Sequence, residues 1–248
     1  MYRVWYSTES FADFIIDHTL LAGLPHTKKK MYESDANNPN NFYTLPDHIR
    51  KILYLDAPDA IIEKDNEPVF SIEVTTEAGT GHNAFQRFAR IAAAVENSVP
   101  AFYIYPEGKI ISRRAVPDKW DEINPLIFNA LEAVMSIYGI PALLYYFPTD
   151  DISIYRNNVN ASPHLTTKGL CYDADVIRYS GCPDSTAVSM QNMFAALNEI
   201  ITATESSGVI PARINLLRNL VIRDQRNFMQ GEFAVKAAGR TARQMSPL

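Results

Sequence analysis

Apolar and polar side chains alternate from Val69 to Thr76, with Phe70, Ile72 and Val74 pointing one way and Ser71, Glu73 and Thr75 the other. A period of two marks a strand with one face turned to a core. A shorter apolar run, Ala60 to Glu63, precedes it, and the turn-like Lys64 to Glu67 lies between, so the two runs predict a β-hairpin. The period then changes. Phe85, Phe88, Ala92 and Val95 recur at helical spacing and predict a helix over Gly81 to Asn97, with His82, Gln86 and Arg90 on a separate polar face. Pro100 to Tyr105 reads as the next strand.

The same reading extends outward in both directions. Ser7 to Ser10 supplies hydroxyl caps, and Gly23-Leu-Pro25 a stop, for an amphipathic helix from about Thr8 to Ala22. His26 to Lys30 is a basic cluster expected in a turn, and Pro46 to Leu55 reads as a short helix and a strand. Ala101 to Tyr105 and Lys109 to Arg114 flank Pro106-Glu-Gly108, which predicts a second hairpin completing a mixed sheet. A helix over Asn124 to Tyr138 and an aromatic strand over Ala142 to Phe147 follow. Residues 151 to 183 are irregular, a pattern common in binding loops. Asp150-Asp151 reads as part of a turn. Ser185 to Thr204 and Pro211 to Gln230 predict two consecutive helices, and Ala234 to Leu248 a loosely held tail.

The fold class expected is therefore α/β, a central mixed β-sheet flanked by helices. Residues 1–148 form the core and 149–248 a loop-rich, helical extension of the same globule. Composition fits: 248 residues, 47% hydrophobic and 21% charged, suit one large domain rather than a disordered chain. No apolar run is long enough to span a bilayer, and Met1 to Tyr6 lacks the pattern of a signal peptide. Cys171 and Cys182 form no C-x-x-C motif, so a reducing, cytoplasmic setting is the simplest expectation.

Charge changes the picture more. The net charge is −5, yet Val209 to Leu248 carries seven basic residues against two acidic ones. Arg218, Arg223 and Arg226 fall on the second predicted helix among Asn215, Asn219 and Gln225, a set able to contact phosphates and base edges. A solvated amphipathic helix accounts for the charge alone equally well. Lys28, Lys29 and Lys30 offer a second phosphate grip, or a solvated turn.

Candidate chemistry centres on the first hairpin. Asp59 opens one arm and Glu73 lies in the other, close enough in a paired hairpin for their carboxylates to approach. Such a pair repels, and a bound cation usually offsets the cost. Pro58-Asp59, thirteen residues, then Glu73-Val74-Thr75, followed by a Gln-containing helix and an apolar strand, resembles the core of the PD-(D/E)XK nuclease superfamily, the fold of most type II restriction endonucleases. The resemblance covers roughly residues 50 to 115. It departs from the family at Thr75, where the motif has a lysine.

The resemblance implies a metal-dependent endodeoxyribonuclease, with Asp59, Glu73 and the Val74 carbonyl holding Mg²⁺, or Mn²⁺ in its place. With lysine absent, Thr75 would orient the attacking water, and His82 or Glu77 is a candidate proton acceptor. Gln86 would face the site, and Arg90 would meet the scissile phosphate. Glu9 is placed by the resemblance near the metals, although a glutamate at a helix start also serves the helix dipole. Restriction-type cleavage of duplex DNA further implies a homodimer. The alternative is a nuclease fold that binds DNA or assembles without cutting.

Overall fold

The computed structural model describes residues 1–31, 45–55, 57–75, 81–106, 108–113, 116–122, 126–147, 179 and 181–215. Of these, only the backbone is described at 81–86, 106, 108–113, 116–122, 126, 128, 129, 146, 214 and 215. The chain is an α/β fold built on a mixed six-stranded sheet. It opens with β1 (Tyr2–Tyr6), α1 (Glu9–Asp17), β2 (His26–Lys30) and the single-turn α2 (Asp47–Arg50). The hairpin β3 (Ala60–Lys64) and β4 (Glu67–Val74) follows, then α3 (Gly81–Glu96) and β5 (Ala101–Pro106). Next come β6 (Gly108–Arg113), β7 (Val116–Glu122), α4 (Leu126–Tyr138) and β8 (Ala142–Phe147). The last described elements are α5 (Val188–Ser207) and α6 (Val209–Asn215). Strand order in the main sheet is β2-β1-β3-β4-β5-β8.

The first hairpin forms where the alternating pattern places it. Asp65 and Asn66 make its two-residue loop, both at positive φ (53° and 67°), a conformation these two residue types tolerate better than most. Register then slips by one between Ile62 and Glu63, so Ile62 faces Phe70 while Glu63 faces Pro68, leaving Val69 as an extra residue in β4. Pro68 has no N–H to give to a ladder, and a bulge is where a strand accommodates it.

Registers sort the side chains into two faces. Val4, Ile62, Phe70, Ile72, Phe102, Ile104 and Phe147 line one, all fully buried, and each burial of that size stabilises by about 1.5–3 kcal/mol. Phe102 sits edge-on to Phe70 at 5.7 Å and stacked on Tyr145 at 6.3 Å. α1 and α5 cover this face, meeting through Phe14 and Phe194, whose rings lie 5.4 Å apart. The other face carries Trp5, Ile61, Glu63, Ser71, Glu73 and Tyr103, and α2, α3 and α4 lie over it. It is the polar face, and the candidate site belongs to it.

Several expectations are corrected. The first helix ends at Asp17 instead of Ala22, because the Thr19 hydroxyl bonds back to the Ile15 carbonyl at 2.8 Å and then caps a separate 3-10 turn, Leu20–Gly23. His26 to Lys30 is a strand, not a turn. It is parallel to β1 at the edge of the sheet, a place where lysines discourage further pairing. Residues 51–55 form no strand after α2, since Ile52 and Leu53 donate back to Ile49 and Arg50 in continuing turns. The second hairpin pairs β6 with β7 in a separate two-stranded sheet, not β5 with β6. Ala92 is only half-buried, and the core stripe of α3 runs instead through Ile91, Ala94 and Val95. The last two helices part at Gly208, which adopts φ +84°, and α6 is described only as far as Asn215.

Candidate active site

Asp59 lies one residue before β3, and the pairing Ala60↔Ile72 places it next to be opposite Glu73. Its backbone is fixed from the far side: Ser7 N–H donates to the Asp59 carbonyl at 2.9 Å, and the Ser7 hydroxyl to the Pro58 carbonyl at 3.2 Å. Its side chain is fixed from the near side, where Val74 N–H donates to Asp59 Oδ2 at 2.8 Å. Thr75 N–H continues the ladder to the Ile104 carbonyl at 3.0 Å. The two predicted carboxylates therefore converge on one face of the sheet, at the C-terminal end of β4.

Glu73 is 1% exposed, whereas Asp59 is half-buried and so forms the open side of the pair. Two guanidiniums from α3 reach the same oxygen of Glu73. Arg90 Nη1 lies 2.5 Å from Oε1, and Arg87 bonds to it as well. The other oxygen, Oε2, is buried and has no hydrogen-bond partner among the described residues. The cross-strand neighbour of Glu73 is Tyr103, whose hydroxyl is likewise buried and unpartnered among the described residues. Burial is the main influence on all three groups. It raises Asp59 above the usual carboxylate range against the pull of Val74 N–H, a hydrogen bond with the Glu73 carboxyl and the two arginines. It pushes Glu73 up to about 7, helped by the negative charge of Asp59 and opposed by Arg90 and Arg87. The Tyr103 phenol is raised too, again chiefly by burial.

The donor set suits a small hard cation. No group of three or more His, Cys, Asp or Glu gathers as a metal cage among the described residues. Mg²⁺ does not need one, because it keeps most of its waters and binds through one or two carboxylates. A half-buried Asp59 beside a Glu73 Oε2 with no hydrogen-bond partner among the described residues meets that requirement.

The other sequence candidates scatter. Lys28 faces α1 and bonds Glu9 at 2.7 Å and Asp13 at 2.8 Å. Glu9 thus serves a surface ion pair across the sheet from the carboxylates, and its helix begins without a side-chain cap at Thr8. Lys29 shares the polar face but sits at the edge, 5.0 Å over the Trp5 ring, and Lys30 is exposed. His82 and Gln86 fall in the first turns of α3, where only the backbone is described. Glu77, Asp150, Asp151, Cys171, Arg218, Arg223 and Arg226 lie outside the described residues. Cys182 is buried, and its thiol donates to the Ser10 carbonyl at 3.7 Å.

Two features went unseen in the sequence. Arg87 stands three residues before Arg90, the spacing that puts both on one helix face, and that pairing after an acidic strand was the available signal. Glu63 forms a second buried carboxylate cluster farther along β3. It accepts from Trp5 Nε1 at 2.6 Å, Arg3 at 3.0 Å and His48 Nε2 at 3.1 Å. With both oxygens satisfied, Glu63 ties β1, α2 and β3 together and leaves no acceptor for a ligand. A surface cleft of about 490 Å³ lined by Asp47, Arg50, Lys51 and Tyr54 adjoins α2, and neither Asp59 nor Glu73 lines it.

Among the described residues no helix is long and apolar enough to cross a membrane. No family model, curated protein or solved structure matches this chain.

Proposed function

We propose that the chain is a metal-dependent endodeoxyribonuclease of the PD-(D/E)XK type, cutting duplex DNA in the manner of a restriction enzyme, with two copies acting on the two strands. The observation that carries this reading is the convergence of Asp59 and Glu73 across the β3–β4 pair, with Val74 N–H orienting one and the other holding a buried oxygen that has no hydrogen-bond partner among the described residues. The order of elements supports it further: acidic hairpin, crossover helix α3, then β5 parallel to β4.

A Mg²⁺ ion held by Asp59 and Glu73 would supply an activated water and neutralise charge on the departing oxygen. The chain's own residues have narrower tasks. Asp59, half-open, receives ligands from solvent, while Glu73 anchors the buried side. Thr75 occupies the lysine position of the motif and brings a hydroxyl that can orient a water but carries no charge. Positive charge comes instead from α3, where Arg87 and Arg90 stand beside the carboxylates. A site of this composition acts on an anionic oxygen ester, and DNA is the substrate the resemblance implies.

The test is digestion of a sequenced plasmid in Mg²⁺ or Mn²⁺ by the native chain, Asp59→Asn and Glu73→Gln, with folding checked by circular dichroism. The native chain should give discrete fragments and both variants none. Equal cutting by all three would remove the site assignment. One observation favours a second reading: Arg87 and Arg90 neutralise Glu73, and no lysine follows it, as expected of a nuclease fold kept for DNA binding alone. Shifted but uncut DNA in the same digest would select that reading.

A further inference from the structure

The cluster formed by Asp59, Glu73, Arg87 and Arg90 pairs two carboxyl groups with two guanidiniums, so its charge is balanced without any ligand once both carboxyls are ionised. Both arginines spend a bond on one oxygen of Glu73, and both reach solvent in part, with side chains 27% and 19% exposed. A divalent cation entering beside Glu73 Oε2 would meet two positive groups at close range in a poorly hydrated setting. Like charges at such distances repel strongly, because the interior screens them far less than water does. A cation alone is therefore opposed by the residues that neutralise its ligand. A cation arriving with an anion is not, because the guanidiniums can turn from Glu73 Oε1 to the anion's oxygens. A planar guanidinium suits a phosphate as well as it suits a carboxylate.

We propose that Arg87 and Arg90 make divalent-cation binding at Asp59 and Glu73 conditional on a nucleic-acid phosphate, by holding Glu73 in the empty protein and passing to the phosphate when both ligands bind. The inference rests on the function proposed above and adds its regulation: the site charges only when substrate is present. It also assigns Arg87 as a phosphate-binding residue that sequence reading omitted. The cluster would then gain about one net positive charge per phosphate-bound ion, half of what the ion brings alone. Two positive charges enter with the ion, and negative charge enters with the DNA backbone. Linkage requires reciprocity, so the ion must tighten DNA by the same factor by which DNA tightens the ion.

The experiment is calorimetric titration of Ca²⁺, a divalent ion with the same preference for oxygen ligands, into the full chain with and without a short DNA duplex. The native protein, Arg87→Gln, Arg90→Gln and Asp59→Asn are compared, each checked for folding by its thermal melt. The native chain should bind Ca²⁺ weakly alone and at least about tenfold more tightly with duplex. Arg87→Gln should bind Ca²⁺ alone about tenfold more tightly than the native chain and lose most of the gain from duplex. Arg90→Gln should behave alike and serves if Arg87→Gln misfolds. Unchanged or weaker Ca²⁺ binding in the arginine variants, or an undiminished effect of duplex, would overturn the inference while leaving the carboxylate site intact, provided Asp59→Asn abolishes binding. If the native chain binds no Ca²⁺ under either condition, the nuclease reading falls and this inference with it.

Discussion

Replacing Glu73 by Gln should change how stability depends on pH, and the size of the change follows from where the side chain sits. An ordinary glutamate titrates at 4.5, and burial beside Asp59 moves Glu73 to about 7. The folded protein thus keeps a proton that the unfolded chain releases between those two values. Stability from that group is complete below pH 4.5 and is lost as pH rises through 7. Each pH unit in the window costs about 1.4 kcal/mol, so the full loss is about 3 kcal/mol. Asp59 is raised as well and acts in the same direction. Glutamine has no proton to release, so its stability should be nearly flat where the native chain declines. Arg87 and Arg90 lose a partner in the variant, but both reach solvent and can hydrate. The assay is urea unfolding at half-unit steps from pH 4.5 to 8 with a chelator present. The native curve should fall by about 3 kcal/mol relative to the variant across the window. Parallel curves, or a native protein gaining on the variant as pH rises, would refute the account of Glu73 as a buried carboxyl raised by its surroundings.

Two further outcomes follow from buried polar groups. Glu63→Ala strands the fully buried Trp5 indole N–H without an acceptor, while Arg3 and His48 can turn to water, so it should cost about 2–3 kcal/mol and lower the melting temperature by roughly 5–10 °C. Tyr103→Phe removes a hydroxyl that is buried and unpartnered among the described residues, and should be neutral or stabilising by up to about 1 kcal/mol in urea unfolding. A loss of more than that would mean the hydroxyl has a partner.

The hairpin, α3 and β5 were legible because each announces itself locally: alternation over Val69 to Thr76, a helical repeat after Gly81, a short apolar run bounded by Pro100. Asp59 and Glu73 were legible through their types and spacing. The partner of β1 was not, because Tyr2–Tyr6 pairs with Ala60–Lys64 across more than fifty residues, and no local pattern encodes such a contact. The edge strand β2 was misread for a related reason. His26 to Lys30 is polar throughout and becomes a strand because β1 presents a free edge, not by its own preference. Arg87 was passed over because the polar face of α3 was drawn through every fourth residue from His82, while the contact to Glu73 uses a spacing of three. Buried Glu63 looked like the end of an apolar run, since nothing nearby shows that Trp5, Arg3 and His48 meet there.

The extra residue at Val69 has a consequence for how this chain can vary. If Val69 were paired in a regular ladder from the Asp65-Asn66 loop, with no bulge, Asp59 would stand opposite Ile72, and Glu73 would project toward α1 and α5 instead of α3. One surplus residue near the loop therefore sets the phase of everything upstream. Deleting Val69 would only remove the bulge and leave Asp59 opposite Glu73, whereas deleting one residue between Phe70 and Glu73 would turn the second acid to the other face of the sheet. Related chains that keep the acidic pair should tolerate many substitutions along β4, but a change of odd length between the two acids should fall at the bulge or be met by a second that restores the count.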